Sequence, residues 1–149
     1  MRESEYERVA ELIEVNNSIV EFAPVGNGVS QEWIEKAEIA IGVPLPTSYK
    51  WWLASYGGGE IGGEEIFSVY GEDFDKVVGG DIVYMYRLDL AENQSAKLVP
   101  LCQSDIDGRF SFDTKNSHEN EYPVHSHVTG QRYAENFFDF LEKRIAAFS

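Results

Sequence analysis

The chain has 149 residues, of which 43% are hydrophobic and 13% aromatic, and this composition supports one folded core rather than disorder. Its formal net charge of −14, from 26 acidic and 12 basic residues, disfavours direct binding to nucleic acid or anionic lipid and favours basic partners. The single cysteine, Cys102, cannot form an internal disulfide, and no stretch has the pattern of a signal peptide or a membrane span. We therefore expect one domain, residues 1–149, in the cytoplasm.

The N-terminal part of the chain predicts two amphipathic helices. One helix ends at Asn16-Asn17 and carries its apolar residues one turn apart, at Tyr6, Val9, Ala10 and Ile13. A loop containing proline and glycine follows at residues 22–29. Ser30 is a suitable N-cap for a second helix that runs to about Ile41, where Gly42 is expected to end it.

A short third helix with aromatic residues on one face is predicted after Val43-Pro44-Leu45-Pro46. Each proline disfavours helical geometry in the residue before it, and Pro46 itself suits the first turn of a helix. Gly57 provides a left-handed stop. The face predicted to be buried carries Tyr49, Trp52, Leu53 and Tyr56.

The rest of the chain predicts a mainly antiparallel sheet of about five or six strands and a C-terminal helix. Short runs rich in β-branched and aromatic residues predict strands at 66–70, 82–87, 98–102, 109–113 and 122–128. Asp107-Gly108 is a two-residue hairpin signal, and Pro123 indicates an edge position for the last strand. A final helix from Tyr133 carries a long apolar stripe. Helices, then strands, then a helix predict an α+β fold.

No group of residues predicts catalysis or a phosphate site. Gly57-Gly58-Gly59 and Gly62-Gly63 follow a helix, whereas phosphate loops precede one, so a helix cap and a mobile turn are the preferred interpretation. Asp105-Ile106-Asp107-Gly108 lacks the later ligands of a calcium loop. A serine triad has neither a nucleophile elbow nor an oriented histidine.

Two histidines leave one alternative open. His125 and His127 lie on the same face of a predicted strand, with His118 nearby in sequence. They could form half of a zinc site, but no acid or cysteine at fixed spacing completes it, so a solvent-exposed edge pair is preferred. We predict no cofactor and no resident metal. Adventitious metal binding, or a small metal-dependent hydrolase, remains the least favoured alternative.

The stretch from Glu38 to Gly58 resembles the SUKH superfamily, which is named partly after a regulator of cell-wall assembly (the Smi-one/Knr-four-like proteins). The family signature is an acidic helix end, a glycine, leucine-proline, an aromatic, an aromatic-leucine pair and a glycine pair. Here the matching residues are Glu38, Gly42, Leu45, Pro46, Tyr49, Trp52, Leu53, Gly57 and Gly58. Tyr56 stands where the family usually has asparagine. The segments around Asp107-Gly108 and from Ala134 to Leu141 are also similar.

The resemblance implies an α+β fold without known enzymatic activity. Bacterial members of the superfamily are commonly immunity proteins encoded beside toxins, many of which are nucleases or deaminases. The resemblance further implies that the signature residues are structural and lie apart from the face that binds the toxin.

We therefore predict a non-enzymatic protein-binding module, an immunity protein that neutralises a basic toxin by stoichiometric binding. A nuclease must hold a polyanion, so an acidic protein can occupy its basic rim with fast, salt-sensitive association. The candidate contacts are the acids after the glycine stop and a tryptophan that points about 100° away from the buried stripe: Glu60, Glu64, Glu65, Glu72, Asp73, Asp75 and Trp51. The alternative is a regulatory scaffold or adaptor with an endogenous protein partner.

Overall fold

A computed structural model describes residues 3–24 and 26–149 and shows an α+β fold. The described residues form five helices and seven strands. In chain order these are α1 (Glu3–Val15), β1 (Val20–Phe22), α2 (Gln31–Ile41), α3 (Thr47–Tyr56), β2 (Gly59–Ile61), β3 (Glu64–Ile66), α4 (Ile82–Ala91), β4 (Leu98–Ser104), β5 (Gly108–Asp113), β6 (Val124–Ser126), β7 (Arg132–Ala134) and α5 (Phe137–Ala147).

The seven strands form one antiparallel sheet in which they follow one another in chain order. Helices α2 and α3 are inserted between β1 and β2, and α4 between β3 and β4. The sheet has slightly more strands than the sequence predicts. The additional strands β1, β2 and β7 are three residues long, too short to show an alternating pattern of their own.

Helices cover both faces of the sheet. On β5, the Phe112 ring contacts the rings of Tyr49 in α3 and Phe137 in α5, at centroid distances of 5.4 and 6.2 Å. Arg109 of the same strand pairs with Asp89 of α4 at 2.8 Å. Because side chains an odd number of positions apart on a strand point to opposite faces, α3 and α5 lie on one face and α4 on the other.

The predicted helix boundaries in the N-terminal part are confirmed. The Ser30 side chain accepts a hydrogen bond from Trp33 N at 3.4 Å, and α2 ends at Gly42 with φ +91°. Gly57 ends α3 in the same left-handed region, with φ +84°. Pro46 is the N-cap of α3 rather than a first-turn residue, because its ψ of 144° is extended. The predicted aromatic face of α3 is buried.

The strand predicted at residues 82–87 is wrong, because this segment is helix α4. Asp81 caps it: its Oδ1 accepts hydrogen bonds from Val83 N at 2.9 Å and Tyr84 N at 3.1 Å. Its Oδ2 accepts a third from Tyr70 N at 3.0 Å. The capped helix buries Ile82, Val83, Tyr86 and Asp89, which are spaced for one helical face. Packing and capping thus outweigh the β propensity of the side chains.

Three further boundaries differ from the sequence prediction. The last helix begins at Phe137 instead of Tyr133, because Asn136 caps it by accepting a hydrogen bond from Asp139 N at 2.9 Å. The β4–β5 hairpin has a turn of three residues, 105–107, since Ser104 pairs with Gly108. Strand β6 is not at an edge, because it pairs with both β5 and β7.

Cys102 is buried in the middle of the sheet, where it pairs with Ile66 of β3 and Phe110 of β5. Burial raises the pKa of its thiol to about 12. The single cysteine is therefore a buried free thiol.

Candidate functional site

Three of the acids after the glycine stop, Glu60, Glu64 and Glu65, lie on the β2–β3 hairpin, where the sequence predicts a mobile turn. Gly62 and Gly63 connect β2 to β3 with φ of +59° and +82°, as a two-residue turn of the primed type requires. Gly59 lies against β1 so closely that a Cβ atom would stand 2.5 Å from the Glu21 carbonyl oxygen and from Phe22 Cα. The glycines therefore allow β1, β2 and β3 to pair.

Three acidic side chains form a row across this part of the sheet. Glu60 pairs with Glu21 on β1 and with Glu65 on β3. Their neighbours Ile61 and Ile66 are buried on the other face, so the row points away from the core. Directly paired strand residues have Cβ atoms about 4.5–5.5 Å apart, so the three carboxylates repel one another.

A cavity of about 650 Å³ opens next to this row. It lies among Ala23, residues 27–30, the Gly57-Gly58-Gly59 segment and residues 65–72. The residues that line it are Ala23, Asn27, Gly28, Val29, Ser30, Trp33, Gly57, Gly58, Gly59, Glu65, Ser68, Val69, Tyr70, Gly71 and Glu72. Among these described lining residues, no lysine, arginine or histidine opposes Glu65 and Glu72. We call this space the acidic cavity.

Tyr70 holds one wall of the acidic cavity in place. Its hydroxyl accepts a hydrogen bond from Gly80 N at 2.8 Å and donates one to Glu65 Oε2 at 3.0 Å. Burial, with a further contribution from the Glu65 carboxylate, raises the pKa of Tyr70 to about 12. The phenol therefore stays protonated at neutral pH and fixes the Glu65 side chain in the wall.

Glu64, another predicted contact residue, is occupied inside the protein. Its carboxylate accepts hydrogen bonds from Arg144 Nη2 at 2.9 Å, Ser104 Oγ at 2.8 Å and Asp105 N at 3.0 Å. Only 9% of the side chain is exposed. Because the carboxylate is buried and fully bonded, we leave Glu64 out of the proposed contact set.

Asp73 and Asp75 are exposed near the acidic cavity. Asp73 Oδ1 accepts a hydrogen bond from Asp75 N at 2.9 Å, which orders the short turn between them. Asp75 also pairs with Arg87 at 3.0 Å, but both side chains are well exposed, so the pair contributes little to stability. Both carboxylates remain accessible to a partner.

A second concave surface, of about 410 Å³, lies beside the acidic cavity. We call it the α2 groove, and its lining residues are Trp33, Lys36, Ile39, Ala40, Asp73 and Phe74. The rings of Trp33 and Phe74 meet edge to face at 5.7 Å, and Lys36 Nζ lies 4.4 Å from the Trp33 ring centroid. Ile39 is 81% exposed.

The sequence prediction did not include the α2 groove, although α2 carries a signal for it. The buried face of α2 is Ile34, Ala37 and Ile41, so Trp33 and Ile39 are apolar residues outside the stripe that the fold needs. Phe74, in contrast, could not be placed beside Trp33 from the sequence, because the two are far apart along the chain.

The residues of the SUKH-like signature act within the fold. Glu38 Oε2 accepts a hydrogen bond from Leu45 N at 2.8 Å, which fixes the connector between α2 and α3. The Tyr49 hydroxyl donates to the carbonyl oxygen of Phe67 at 2.6 Å and is fully buried. Gly42 and Gly57 end their helices in the left-handed region. These contacts connect α2, α3 and the sheet.

A family model described as SUKH_6, SMI1-KNR4 cell-wall, matches residues 31–141, which is more than half of the chain. The chain belongs to the SMI1-KNR4 family. The resemblance to the SUKH superfamily is thereby confirmed. A comparison with curated proteins gives no significant match.

Membership in the SUKH superfamily supports a protein-binding module of the immunity type in general, and the family is known as a non-enzymatic binding domain. In the part of this SUKH chain that the structure describes, no helix is both long and apolar enough to cross a membrane.

Trp51 does not protrude from this SUKH domain as an anchor for a partner. It is half-buried in an aromatic cluster with Tyr6 of α1, Tyr56 of α3 and Phe138 of α5, at centroid distances of 5.3, 5.8 and 5.4 Å. The indole therefore joins three helical segments. Trp33, in contrast, lines both the acidic cavity and the α2 groove.

The two histidines are half-buried rather than exposed at an edge, because β7 covers that side of β6. Their ring centroids are 5.4 Å apart, and His127 Nε2 lies 2.8 Å from Ser111 Oγ. Burial lowers the pKa of His127, so the ring is neutral at pH 7. Ser111 is fully buried and out of reach of a substrate. Within residues 3–24 and 26–149, no three His, Cys, Asp or Glu side chains are grouped as metal ligands.

Proposed function

We propose that this SUKH chain is a cytoplasmic immunity protein that binds and neutralises a basic toxin domain, with a nuclease as the favoured kind. The observation that carries the proposal is the acidic cavity of about 650 Å³, whose charged lining residues, Glu65 and Glu72, have the same sign. Family membership supports a protein-binding module, and the cavity supports a positive charge on the partner.

Electrostatics gives this interaction its specificity and speed. A nuclease binds a polyanion, so the rim of its active site is rich in lysine and arginine. A net charge of −14 attracts such a surface, and the exposed acids near the cavity orient it. The proposed contact set is Glu60, Glu65, Glu72, Asp73 and Asp75.

The experiment uses the toxin domain encoded by the neighbouring reading frame. We expect co-expression with this SUKH chain to protect cells and the two proteins to purify as a complex. In the double variant E65Q/E72Q, Kd should rise by about tenfold or more, mainly through slower association at low salt, because the steering charges are removed.

The control is the double variant E11Q/E92Q, which removes the same amount of charge from exposed positions on α1 and at the end of α4. We expect this control to change Kd by less than about threefold, an effect of net charge alone. An equal loss in both double variants would rule out the cavity as the contact site. If co-expression gives no protection and the two proteins form no complex, the immunity function is ruled out. An endogenous partner without an adjacent toxin would support the scaffold alternative.

A further inference from the structure

We infer that the α2 groove holds an apolar side chain of the same basic partner, at a position in its sequence flanked by lysine or arginine. The inference rests on the proposed function and adds a second contact beside the acidic cavity. It depends on the exposure of Ile39, the fixed aromatic walls and the charge around the groove.

Ile39 lies outside the hydrophobic core. It is 81% exposed and lies in the last turn of α2, whose core contacts are made by other residues. The groove walls are already in place, because Trp33 and Phe74 pack edge to face at 5.7 Å with an interplanar angle of 89°. An entering apolar side chain would therefore be buried without reordering the groove, which limits the entropic cost of binding.

The charges around the groove select the partner. Helix α2 and residues 71–76 carry the acids Glu32, Glu35, Glu38, Glu72, Asp73 and Asp75, but only the bases Lys36 and Lys76. Ion pairs join Lys36 to Glu32 at 3.2 Å, Lys50 to Glu38 at 3.5 Å and Arg87 to Asp75 at 3.0 Å. Among the described residues no ion pair offsets Glu35, Glu72 or Asp73, so these three acids keep the rim of the groove negative. A second copy of the chain would bring the same negative rim and a net charge of −14, so like-charge repulsion disfavours it. A basic segment of a partner would instead form ion pairs with the acidic side chains around the groove.

The acidic cavity and the groove can be filled by one segment of the partner. Trp33 lines both spaces, so they share a wall. A basic side chain in the cavity would lie beside Glu65 and the indole face, where cation–π attraction adds to the ionic attraction. The adjacent apolar side chain of the same segment would enter the groove between Ile39 and Phe74.

The first test compares I39S with I106S for binding to the toxin domain of the neighbouring reading frame. Ile39 and Ile106 are 81% and 84% exposed, so neither substitution removes a core contact. We expect I39S to raise Kd by about tenfold or more through faster dissociation, because it removes a central apolar contact. The control I106S changes the tip of the β4–β5 hairpin and should leave Kd unchanged.

The second test needs no toxin and uses an amphipathic helical peptide of leucine and lysine. We expect it to shift the NMR signals of the Trp33 indole and the Ile39 methyl groups, and I39S to weaken its binding by about tenfold. A peptide of leucine and glutamate with the same pattern serves as the control and should not bind.

The outcomes separate the two proposals. If I39S and I106S bind the toxin equally while E65Q/E72Q weakens it, the groove inference fails and the proposed function stands. If the toxin does not bind but the leucine–lysine peptide binds in the groove, the immunity function fails, and the groove stands as a site for an apolar side chain of a different basic partner. Peptide shifts outside the groove, equal binding of the glutamate peptide, or a homodimer that I39S dissociates would overturn the inference.

Discussion

Arg144 connects three parts of the chain through one side chain. Its guanidinium donates to Glu64 Oε1 and Asp107 Oδ2, both at 2.9 Å, and to Ser104 Oγ at 3.3 Å. Arg144 and Glu64 are 4% and 9% exposed, so their charges have little access to water. Removing Arg144 leaves the buried Glu64 carboxylate with its hydrogen bonds from Ser104 and Asp105 but without its cation.

We predict that R144M lowers the free energy of unfolding by about 3–5 kcal/mol, measured by urea denaturation, because the Glu64 carboxylate stays buried without its cation. The control R8M breaks the exposed pair of Arg8 with Glu142 and should cost less than about 1 kcal/mol. The double variant R144M/E64M should recover part of the loss. Equal losses in R144M and R8M would show that the buried ion pair contributes no more to stability than the exposed one.

The buried carboxylate of Glu121 should make the free energy of unfolding depend on pH, and a single substitution can isolate its contribution. Its carboxylate accepts hydrogen bonds from Ser48 N at 2.8 Å and Ser48 Oγ at 2.6 Å, in the first turn of α3. Burial raises the pKa of Glu121 above its ordinary value of 4.5, although the bonds from Ser48 oppose the shift. The folded state therefore holds this proton more tightly than the unfolded state, so ionisation of Glu121 reduces stability as pH rises through the raised pKa.

We expect E121Q to gain stability relative to the wild type as pH rises from about 4.5, with the difference constant once Glu121 is ionised in both states. Glutamine can keep both contacts with Ser48 without the charge. Urea denaturation between about pH 4 and pH 8 measures the difference. A difference that is independent of pH, or that falls with rising pH, would contradict the prediction.

At the scale of the elements, Gly42 and Gly57 allow the cost of backbone strain to be measured apart from the cost of steric overlap. Gly42 and Gly57 both have left-handed φ, at +91° and +84°. A Cβ atom at Gly42 would meet no atom within 4 Å, whereas one at Gly57 would overlap the carbonyl oxygen of Asn27. Both alanine variants carry the strain, but only G57A carries the overlap.

We predict that G42A lowers the free energy of unfolding by about 1–2 kcal/mol, from strain alone. G57A should cost about 1–3 kcal/mol more, because Asn27 and Gly28 must move away from the helix end. Urea denaturation of both variants gives the comparison. Equal losses of stability in G42A and G57A would mean that Asn27 and Gly28 can move away from residue 57 without a cost in free energy.

The elements that the sequence predicts well are those with local signals. Ser30, Gly42 and Gly57 act within a few residues of their own helix ends, so α2 and α3 could be placed correctly. Helix α4 is predicted wrongly although its N-cap Asp81 is a local signal, because the β-branched and aromatic side chains that follow favour a strand. Strand β1 exists through pairing with the distant β2, and β7 has three residues, too few for an alternating pattern.

The same distinction applies to the candidate site. Charge alone indicated Glu65 and Glu72, and both line the acidic cavity. Glu64 could not be told apart from its neighbour, because its partner Arg144 is 80 residues away. The aromatic wall of the α2 groove is likewise a contact between distant segments.

The whole molecule carries unbalanced negative charge, and the Glu21–Glu60–Glu65 row concentrates part of it. We predict that E60Q stabilises the protein by about 0.2–1 kcal/mol at low ionic strength, because it removes the middle charge of the row. The gain should shrink in about 0.15 M salt, where charges are screened over about 8 Å. Urea denaturation at the two salt concentrations measures this, and a gain independent of salt would contradict the electrostatic explanation.

The burial of Cys102 gives the protein an internal reporter of its own opening. The thiol lies where β3, β4 and β5 meet, and with a pKa of about 12 it is almost entirely unreactive in the closed sheet. Modification by a thiol reagent therefore requires a local opening of the structure around Cys102, and the labelling rate reports the free energy of that opening. Strand β3, which pairs with Cys102, also carries Glu65, so a bound partner should slow the labelling. The labelling rate of this one native cysteine therefore measures both local opening of the sheet and occupancy of the acidic cavity.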